Sequence, residues 1–136
     1  MVVALLLMSN CNKHQGPTTE DIQKQTSQKL QASTWKVKTV LRDGVDITAD
    51  YANFTLTIAA TTYTTTNGNL AWPASGTWAF QSQSTTQVIR DGTVPVDFVL
   101  SADAASLNLT FTIAASTYTG GRGNGLKGVY EFDLIH

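Results

Sequence analysis

The sequence has few of the residues that most often carry chemistry. It contains one cysteine, Cys11, and two histidines among 136 residues. A single cysteine excludes an internal disulfide and a thiolate metal cluster. Nine Lys and Arg residues are balanced by ten Asp and Glu residues, so the chain lacks the basic excess that is typical of nucleic-acid-binding proteins. We therefore expect no nucleic-acid partner.

Catalytic and metal-binding patterns are also lacking. An enzyme needs a nucleophile, a base or a metal held in fixed geometry, but His14 and His136 lie near opposite ends of the sequence. Asp43, Asp46 and Asp50 do not have the spacing of a calcium-binding loop. Four more carboxylates fall on predicted turns or solvent-facing positions: Asp97, Asp103, Glu131 and Asp133. The sequence predicts a protein that is not an enzyme and has no catalytic residue, cofactor or metal.

The first residues are apolar, but their run is too short to cross a membrane as a helix. Residues 2–8 precede Ser9, Asn10 and Cys11, and this length is typical of the apolar part of a signal peptide. The segment resembles a bacterial lipoprotein signal. The resemblance implies that residues 1–11 form a signal peptide ending at a lipidated Cys11, which anchors the chain to the outer membrane on its periplasmic or outer side. An ordinary secretory signal, or a frayed terminus with Cys11 buried, is the alternative.

A tether and a short helix are predicted over residues 12–33. The beginning of this segment is polar and contains Gly-Pro, which favours a tether. Thr18 or Thr19 can cap a helix whose first turn is acidic, and Ile22 and Leu30 form a thin apolar stripe. The pattern predicts a helix of about three turns that packs against one end of a β domain. A frayed, glutamine-rich stalk is the alternative.

What the sequence has in abundance is threonine interleaved with apolar residues. From Thr34 onward the apolar residues recur mostly with a period of two, which is typical of strands with one solvent-exposed face. Thr39 and Val40 interrupt this alternation in the first strand. The pattern predicts about eight strands, at residues 35–41, 54–58, 62–66, 77–82, 86–90, 96–100, 107–113 and 129–134.

The chain also contains an internal repeat. Residues 57–64 return at 112–119 with one substitution, and the Thr-Trp pair at Trp35 returns at Trp78. An Arg-Asp-Gly turn likewise occurs twice, at residues 42–44 and 90–92. Self-similarity of this kind usually marks a structural unit, so we expect a pseudo-twofold β protein.

Short connections between the strands make sequential strands antiparallel neighbours. The resulting meander either closes into a barrel or folds into two packed sheets. The segment at residues 128–132 is similar to residues 76–80 and is placed beside the first strand. We predict a single all-β domain over residues 34–136, preceded by the tether and short helix.

Several segments of this domain resemble a known family. They are residues 35–44, 63–68, 72–78 and 89–92, which together look like small lipocalin-like lipoproteins of Gram-negative bacteria. The resemblance covers roughly residues 34–134 and implies an antiparallel, eight-stranded lipocalin-like barrel. The lipocalin label implies a small apolar ligand by analogy. The resemblance identifies no catalytic residue in this chain.

A lipocalin-like barrel can hold one small molecule. A ligand cavity would be bounded by Trp35, Phe54, Phe98 and Phe111. The alternative is a solid core, because the predicted inward side chains are large. They are these four residues together with Phe80, Tyr130 and Phe132.

Three further aromatics are candidates for a binding surface. Trp72 lies in a predicted loop, and Tyr63 and Tyr118 occupy matching places in the repeat. Exposed aromatic rings can stack on sugars or anchor a protein partner; alternatively, Trp72 folds back as a plug over the barrel end. The sequence thus predicts a monomeric, non-catalytic envelope lipoprotein that binds a small apolar ligand. A glycan- or protein-binding surface module and a structural envelope protein remain the alternatives.

Overall fold

The structure is a computed structural model that describes residues 16–114 and 127–136. The predicted signal peptide, Cys11, most of the tether, Tyr118 and the end of the second repeat copy lie outside the described residues. The described part contains one α-helix, α1 (Thr19–Gln31), and a 3-10 helix at Thr48–Tyr51. Its nine strands are β1 (Trp35–Arg42), β2 (Val45–Asp46), β3 (Thr55–Ile58), β4 (Thr62–Thr66), β5 (Ser75–Phe80), β6 (Gln87–Arg90), β7 (Val94–Leu100), β8 (Ser106–Ile113) and β9 (Gly128–Ile135).

The strands form a closed antiparallel barrel. The hydrogen-bonded order is β2-β1-β3-β4-β5-β6-β7-β8-β9, and β9 also pairs with β1. Eight strands therefore close the barrel, and β2 adds a short hairpin to its edge. The predicted lipocalin-like, eight-stranded barrel is confirmed, as is the placement of the last strand beside the first. The closure settles the choice between a barrel and two packed sheets.

A β-bulge explains the interrupted alternation in β1. The pairing of β1 with β9 runs from Lys36 opposite Ile135 to Arg42 opposite Tyr130, with a register shift between Val37 and Thr39. A bulge adds one residue to one strand and so reverses the faces of the residues that follow it. Val40 therefore points inward and is fully buried.

Both predicted Asp-Gly turns are present. Asp43 and Gly44 have φ values of 52° and 83°, and Asp91 and Gly92 have values of 53° and 76°. Two consecutive positive φ angles favour Asp-Gly and match the right-handed twist of a hairpin. The first turn joins β1 to the unpredicted strand β2, and the second joins β6 to β7. The structural equivalence of the longer repeat stays a prediction, because its second copy continues past the end of β8.

The predicted helix is confirmed as α1, and its start follows from its sequence. The Thr18 hydroxyl oxygen accepts a hydrogen bond from the Asp21 backbone N–H at 3.1 Å. The Asp21 carboxylate accepts one from the Thr18 N–H, also at 3.1 Å. This reciprocal capping box satisfies two N–H groups that have no partner within the helix. No helix among the described residues combines the length and the hydropathy needed to cross a bilayer.

Candidate functional site

The two ends of the barrel are closed in different ways. At the capped end, α1 lies over the turns at residues 59–61 and 81–86, and Gln23 Nε2 donates a hydrogen bond to the Ser84 carbonyl at 2.6 Å. At the plugged end, the segment between β4 and β5, residues 67–74, enters the barrel. We call this segment the plug. The site lies between the plug and α1.

The plug is held inward by its own backbone. Ala71 and Trp72 are buried, whereas the neighbouring Leu70 is 69% exposed. A Cβ atom at Gly68 would lie 2.7 Å from the Cβ of Trp72, so only glycine permits this close approach. The Thr65 hydroxyl donates to the Pro73 carbonyl at 2.7 Å. Trp72 is therefore a fixed part of the barrel interior rather than an exposed ring.

Aromatic rings fill the plugged half of the barrel. The Trp72 ring makes edge contacts with Tyr63 and Phe111, at centroid distances of 5.5 and 5.4 Å. Phe54 and Phe132 lie 6.1 Å from it. Such pairs stabilise a core beyond the burial of their area. The plugged half consequently has a solid core.

Among the described residues, one charged side chain is buried in this interior. Arg90 is the last residue of β6, and its side chain is 8% exposed. Its guanidinium carbon lies 4.5 Å from the centre of the Trp72 ring and 4.8 Å from that of Phe111, within the range of cation–π attraction. Arg90 Nη1 also donates to the Ala71 carbonyl at 3.0 Å. The burial lowers the pKa of Arg90, while Tyr63 and Asp91 act in the opposite direction.

Asp91 balances this charge from the edge of the barrel. One of its carboxylate oxygens lies 3.6 Å from Arg90 Nε and accepts a hydrogen bond from the Tyr63 hydroxyl at 2.7 Å. The other oxygen accepts the Thr77 backbone N–H at 3.0 Å. Burial and the bond to Asp91 raise the pKa of Tyr63 above its usual value. The pair of Arg90 and Asp91 is electrically neutral.

Two buried N–H groups, one on Arg90 and one on Trp72, lack a hydrogen-bond acceptor among the described residues. They are Arg90 Nε and Trp72 Nε1; the 3.6 Å separation of Arg90 Nε from Asp91 is too long for a hydrogen bond. A buried, unsatisfied donor costs about 1–3 kcal/mol. Such a group in a folded protein calls for an explanation, and a bound acceptor is one.

Both residues line a cavity between the plug and α1. The cavity has a volume of about 40 Å³. Its wall also includes Tyr63, Trp78 and Phe98, and Leu30 of α1 closes it on the capped side. The remaining lining side chains are aliphatic: Leu56, Ile58, Val88, Val96, Leu107 and Leu109. This volume suffices for a water molecule but is well below the roughly 300–1,000 Å³ of sites for drug-sized ligands.

Few contacts fasten α1 over the cavity. Leu30 is its only buried residue, and the Leu30 carbonyl accepts a hydrogen bond from Trp35 Nε1 at 3.0 Å. A groove of about 390 Å³ lies between α1 and β5, and Trp78 lines both this groove and the cavity. Displacing α1 would therefore open the cavity toward the groove. Apolar side chains at the barrel rim would then form its mouth.

The structure brings together only part of the predicted ligand site. Trp35, Phe54 and Phe111 are buried in the packed core but do not line the cavity, whereas Phe98 does. Tyr63 and Trp72, considered as surface aromatics, lie on the cavity wall instead. Tyr118 is outside the described residues.

Arg90 was not predicted to face the interior, whereas Leu30 was expected on the stripe by which α1 packs against one end of the β domain. The signal for Arg90 is its position two residues after Val88, which also lines the cavity. Residues two apart in a strand face the same side, so Arg90 had to point inward wherever Val88 did.

Two of the carboxylates named above, and the described histidine, have structural partners. Glu131 accepts a hydrogen bond from Asn108, and Asp97 accepts one from Gln87. The His136 ring lies 5.0 Å from that of Trp35, edge to face. Among residues 16–114 and 127–136, no three His, Cys, Asp or Glu side chains are placed to hold a metal ion.

Comparisons with known proteins add no family. No protein-family model matches the chain, and no curated protein is significantly similar to it in sequence.

Proposed function

We propose that this protein is a non-catalytic lipoprotein of the cell envelope that binds a small apolar molecule inside its barrel, beneath α1. The observation that carries this proposal is the cavity, whose accessible wall is apolar and to which α1 contributes one buried side chain, Leu30. A ligand larger than the cavity would displace Leu30 and take up the space that α1 now closes.

The anchor rests on the sequence. The apolar residues 2–8 followed by Cys11 resemble a lipoprotein signal, and the barrel fits the lipocalin-like lipoproteins that the chain resembles. Lipidation of Cys11 would place the barrel at the outer membrane, joined to it by the tether. In this arrangement α1 is both the end of the tether and the lid of the cavity.

A change of volume at Leu30 tests the ligand site. Leu30→Ala removes the buried cap and enlarges the cavity, so the variant should bind 4-fluorotoluene more tightly than the parent does, by about threefold or more. Binding is followed by the ¹⁹F NMR shift of this small apolar probe. Ile22→Ala is the matched control, because Ile22 lies on the same helix but is 36% exposed and does not line the cavity.

The ligand site is refuted if neither the parent nor Leu30→Ala shifts the fluorine signal, or if Ile22→Ala tightens binding equally. The anchor is tested separately by expressing the full chain and its Cys11→Ser variant in a Gram-negative host supplied with labelled palmitate. The parent should carry the label in the outer-membrane fraction, and Cys11→Ser should carry none. Label on both chains, or on neither, contradicts the anchor.

A further inference from the structure

Trp78 lines both the cavity and the groove between α1 and β5, so its indole separates the barrel interior from that groove. We propose that apolar ligands enter and leave the cavity between α1 and β5, with the Trp78 side chain as the gate. This inference rests on the proposed function, since it concerns how the same cavity exchanges its ligand. Opening of the gate sets the rate of exchange, whereas the cavity wall sets the affinity.

The plugged end offers no comparable route. The Trp72 ring is in contact with Tyr63 and Phe111 inside the barrel, and the hydrogen bond from Arg90 to the Ala71 carbonyl is buried. A buried hydrogen bond that breaks without a replacement costs the desolvation of its groups. A ligand that entered past the plug would have to break this bond and separate these rings.

The capped end is held by fewer contacts. Leu30 is the one buried residue of α1. Two hydrogen bonds join the helix to the barrel, from Gln23 Nε2 to the Ser84 carbonyl and from Trp35 Nε1 to the Leu30 carbonyl. Elements with few buried apolar contacts open most readily. Ligand exchange should therefore take place beside α1.

Two grooves flank α1 at this end. We call the groove described above the β5 groove. The second, of about 300 Å³, lies between Thr26 and Lys29 of α1 and the end of β7, and we call it the β7 groove. Phe98 lines both the β7 groove and the cavity. A ligand that passes beside α1 must therefore displace either Trp78 or Phe98.

Trp78 is the less firmly held of these two side chains. Phe98 is 6% exposed, whereas Trp78 is only half-buried. Trp78 Nε1 donates to the Ala59 carbonyl at 2.9 Å, at a solvent-exposed position, so water can replace this hydrogen bond when the indole moves. Rotation of the indole toward the β5 groove would join the groove to the cavity and leave the plug in place.

Filling each groove in turn tests the route. Ala79 and Ala102 are exposed residues that line the β5 groove and the β7 groove, respectively. Ala79→Trp should slow both association and dissociation of 4-fluorotoluene by about fivefold or more, with the dissociation constant unchanged, because only the barrier to passage rises. Ala102→Trp is the matched control and should exchange the probe as the parent does. The rates are measured by ¹⁹F exchange spectroscopy, in the parent and in the Leu30→Ala background.

A second pair of variants tests the gate itself. Trp78→Phe and Phe98→Leu remove the same number of side-chain atoms from the cavity wall, so they enlarge the cavity to a similar extent. Only Trp78→Phe also removes the hydrogen bond to the Ala59 carbonyl. The association rate should rise severalfold in Trp78→Phe and stay near the parent value in Phe98→Leu. This pair decides the question if Ala79→Trp fails to fold.

The outcomes separate the route from the binding site. Slower exchange in Ala102→Trp than in Ala79→Trp overturns the inference and assigns entry to the β7 groove. Equal exchange rates in the two tryptophan variants also overturn it, because filling the β5 groove would then have no specific effect. In both cases the probe still binds, and the proposed function stands. Absence of binding by every chain, Leu30→Ala included, refutes the proposed function itself and the route with it.

Discussion

The guanidinium carbon of Arg90 lies 4.5 Å from the centre of the Trp72 ring. This contact joins the end of β6 to the plug, and the hydrogen bond from Arg90 to the Ala71 carbonyl joins them a second time. The plug is thus attached to the barrel wall by a cation, with Asp91 close enough to balance its charge. The stability of the plugged end should therefore depend on the planar geometry of the guanidinium group as well as on its positive charge.

We expect Arg90→Lys to lower the free energy of unfolding by about 1–3 kcal/mol, because an ammonium group cannot stack between two rings and donate from a planar fork. Urea denaturation followed by tryptophan fluorescence measures the loss. Lys36→Arg is the control for exchanging one cation for the other, since Lys36 lies at an exposed position of β1. Equal losses in the two variants would show that the stacking on Trp72 contributes nothing special.

Gly76→Ala should be strongly destabilising. A Cβ atom at Gly76 would overlap Asp91 Oδ1 and lie 2.6 Å from the Tyr63 hydroxyl oxygen, so the whole carboxylate–hydroxyl pair would have to move. Overpacking of this kind costs about 1–3 kcal/mol, seen as a lower thermal midpoint. Gly16→Ala, with no atom within 4 Å of the added Cβ, should leave the midpoint unchanged. An unchanged midpoint in Gly76→Ala would contradict the close packing described here.

The protein should lose stability in alkaline solution. Burial and the bond to Asp91 raise the pKa of Tyr63, and burial raises that of Tyr51 to about 12, both above the ordinary value of 10.0. The folded state favours the protonated phenols, so this contribution is fully present below pH 10 and is lost as the pH rises toward the folded-state pKa. Denaturation at pH 8 and at pH 11 measures the decline. A matching decline in Tyr63→Phe would exclude Tyr63 as a source.

Removal of the N-cap should loosen the lid without unfolding the barrel. Thr18→Ala deletes the capping box, which is worth about 0.5–2 kcal/mol, and α1 has only Leu30 buried beneath it. Amide hydrogen exchange should therefore quicken along α1 and stay slow in β8. Gln28→Ala, a change at an exposed position in the same helix, should leave the exchange rates of α1 and of β8 unchanged. Equal acceleration in α1 and β8 would mean that helix and barrel open together.

Much of the fold followed from local patterns. The period of two located the eight barrel strands, the Asp-Gly pairs located two turns, and the pair Thr18–Thr19 located the start of α1. The two-residue strand β2 was missed, because a strand so short shows no alternation. The start of β5 was missed by two residues, since Ser75 and Gly76 read as loop and are strand only through their pairing with β4.

The site could not be predicted in the same way, because it depends on contacts between distant residues. Gly68 permits the close turn beside Trp72, but the contacts that hold the ring inside the barrel come from Arg90 and Phe111, on other strands. Whether an indole N–H finds an acceptor is likewise decided only in the assembled barrel. The Trp72 N–H has none among the described residues, whereas the Trp78 N–H donates to the Ala59 carbonyl. The inward direction of Arg90 was available from strand parity alone.

The pairing of β1 with β9 determines when the barrel can be completed. Lys36 lies opposite Ile135, so the first barrel strand to leave a ribosome or a translocation channel pairs early with β3 but waits for nearly the entire domain before its second partner arrives. Until then the growing meander keeps two open edges, which can pair with other chains. Long-range pairing of this kind also slows folding. During its biogenesis the protein should therefore depend most on protection from aggregation just before β9 emerges.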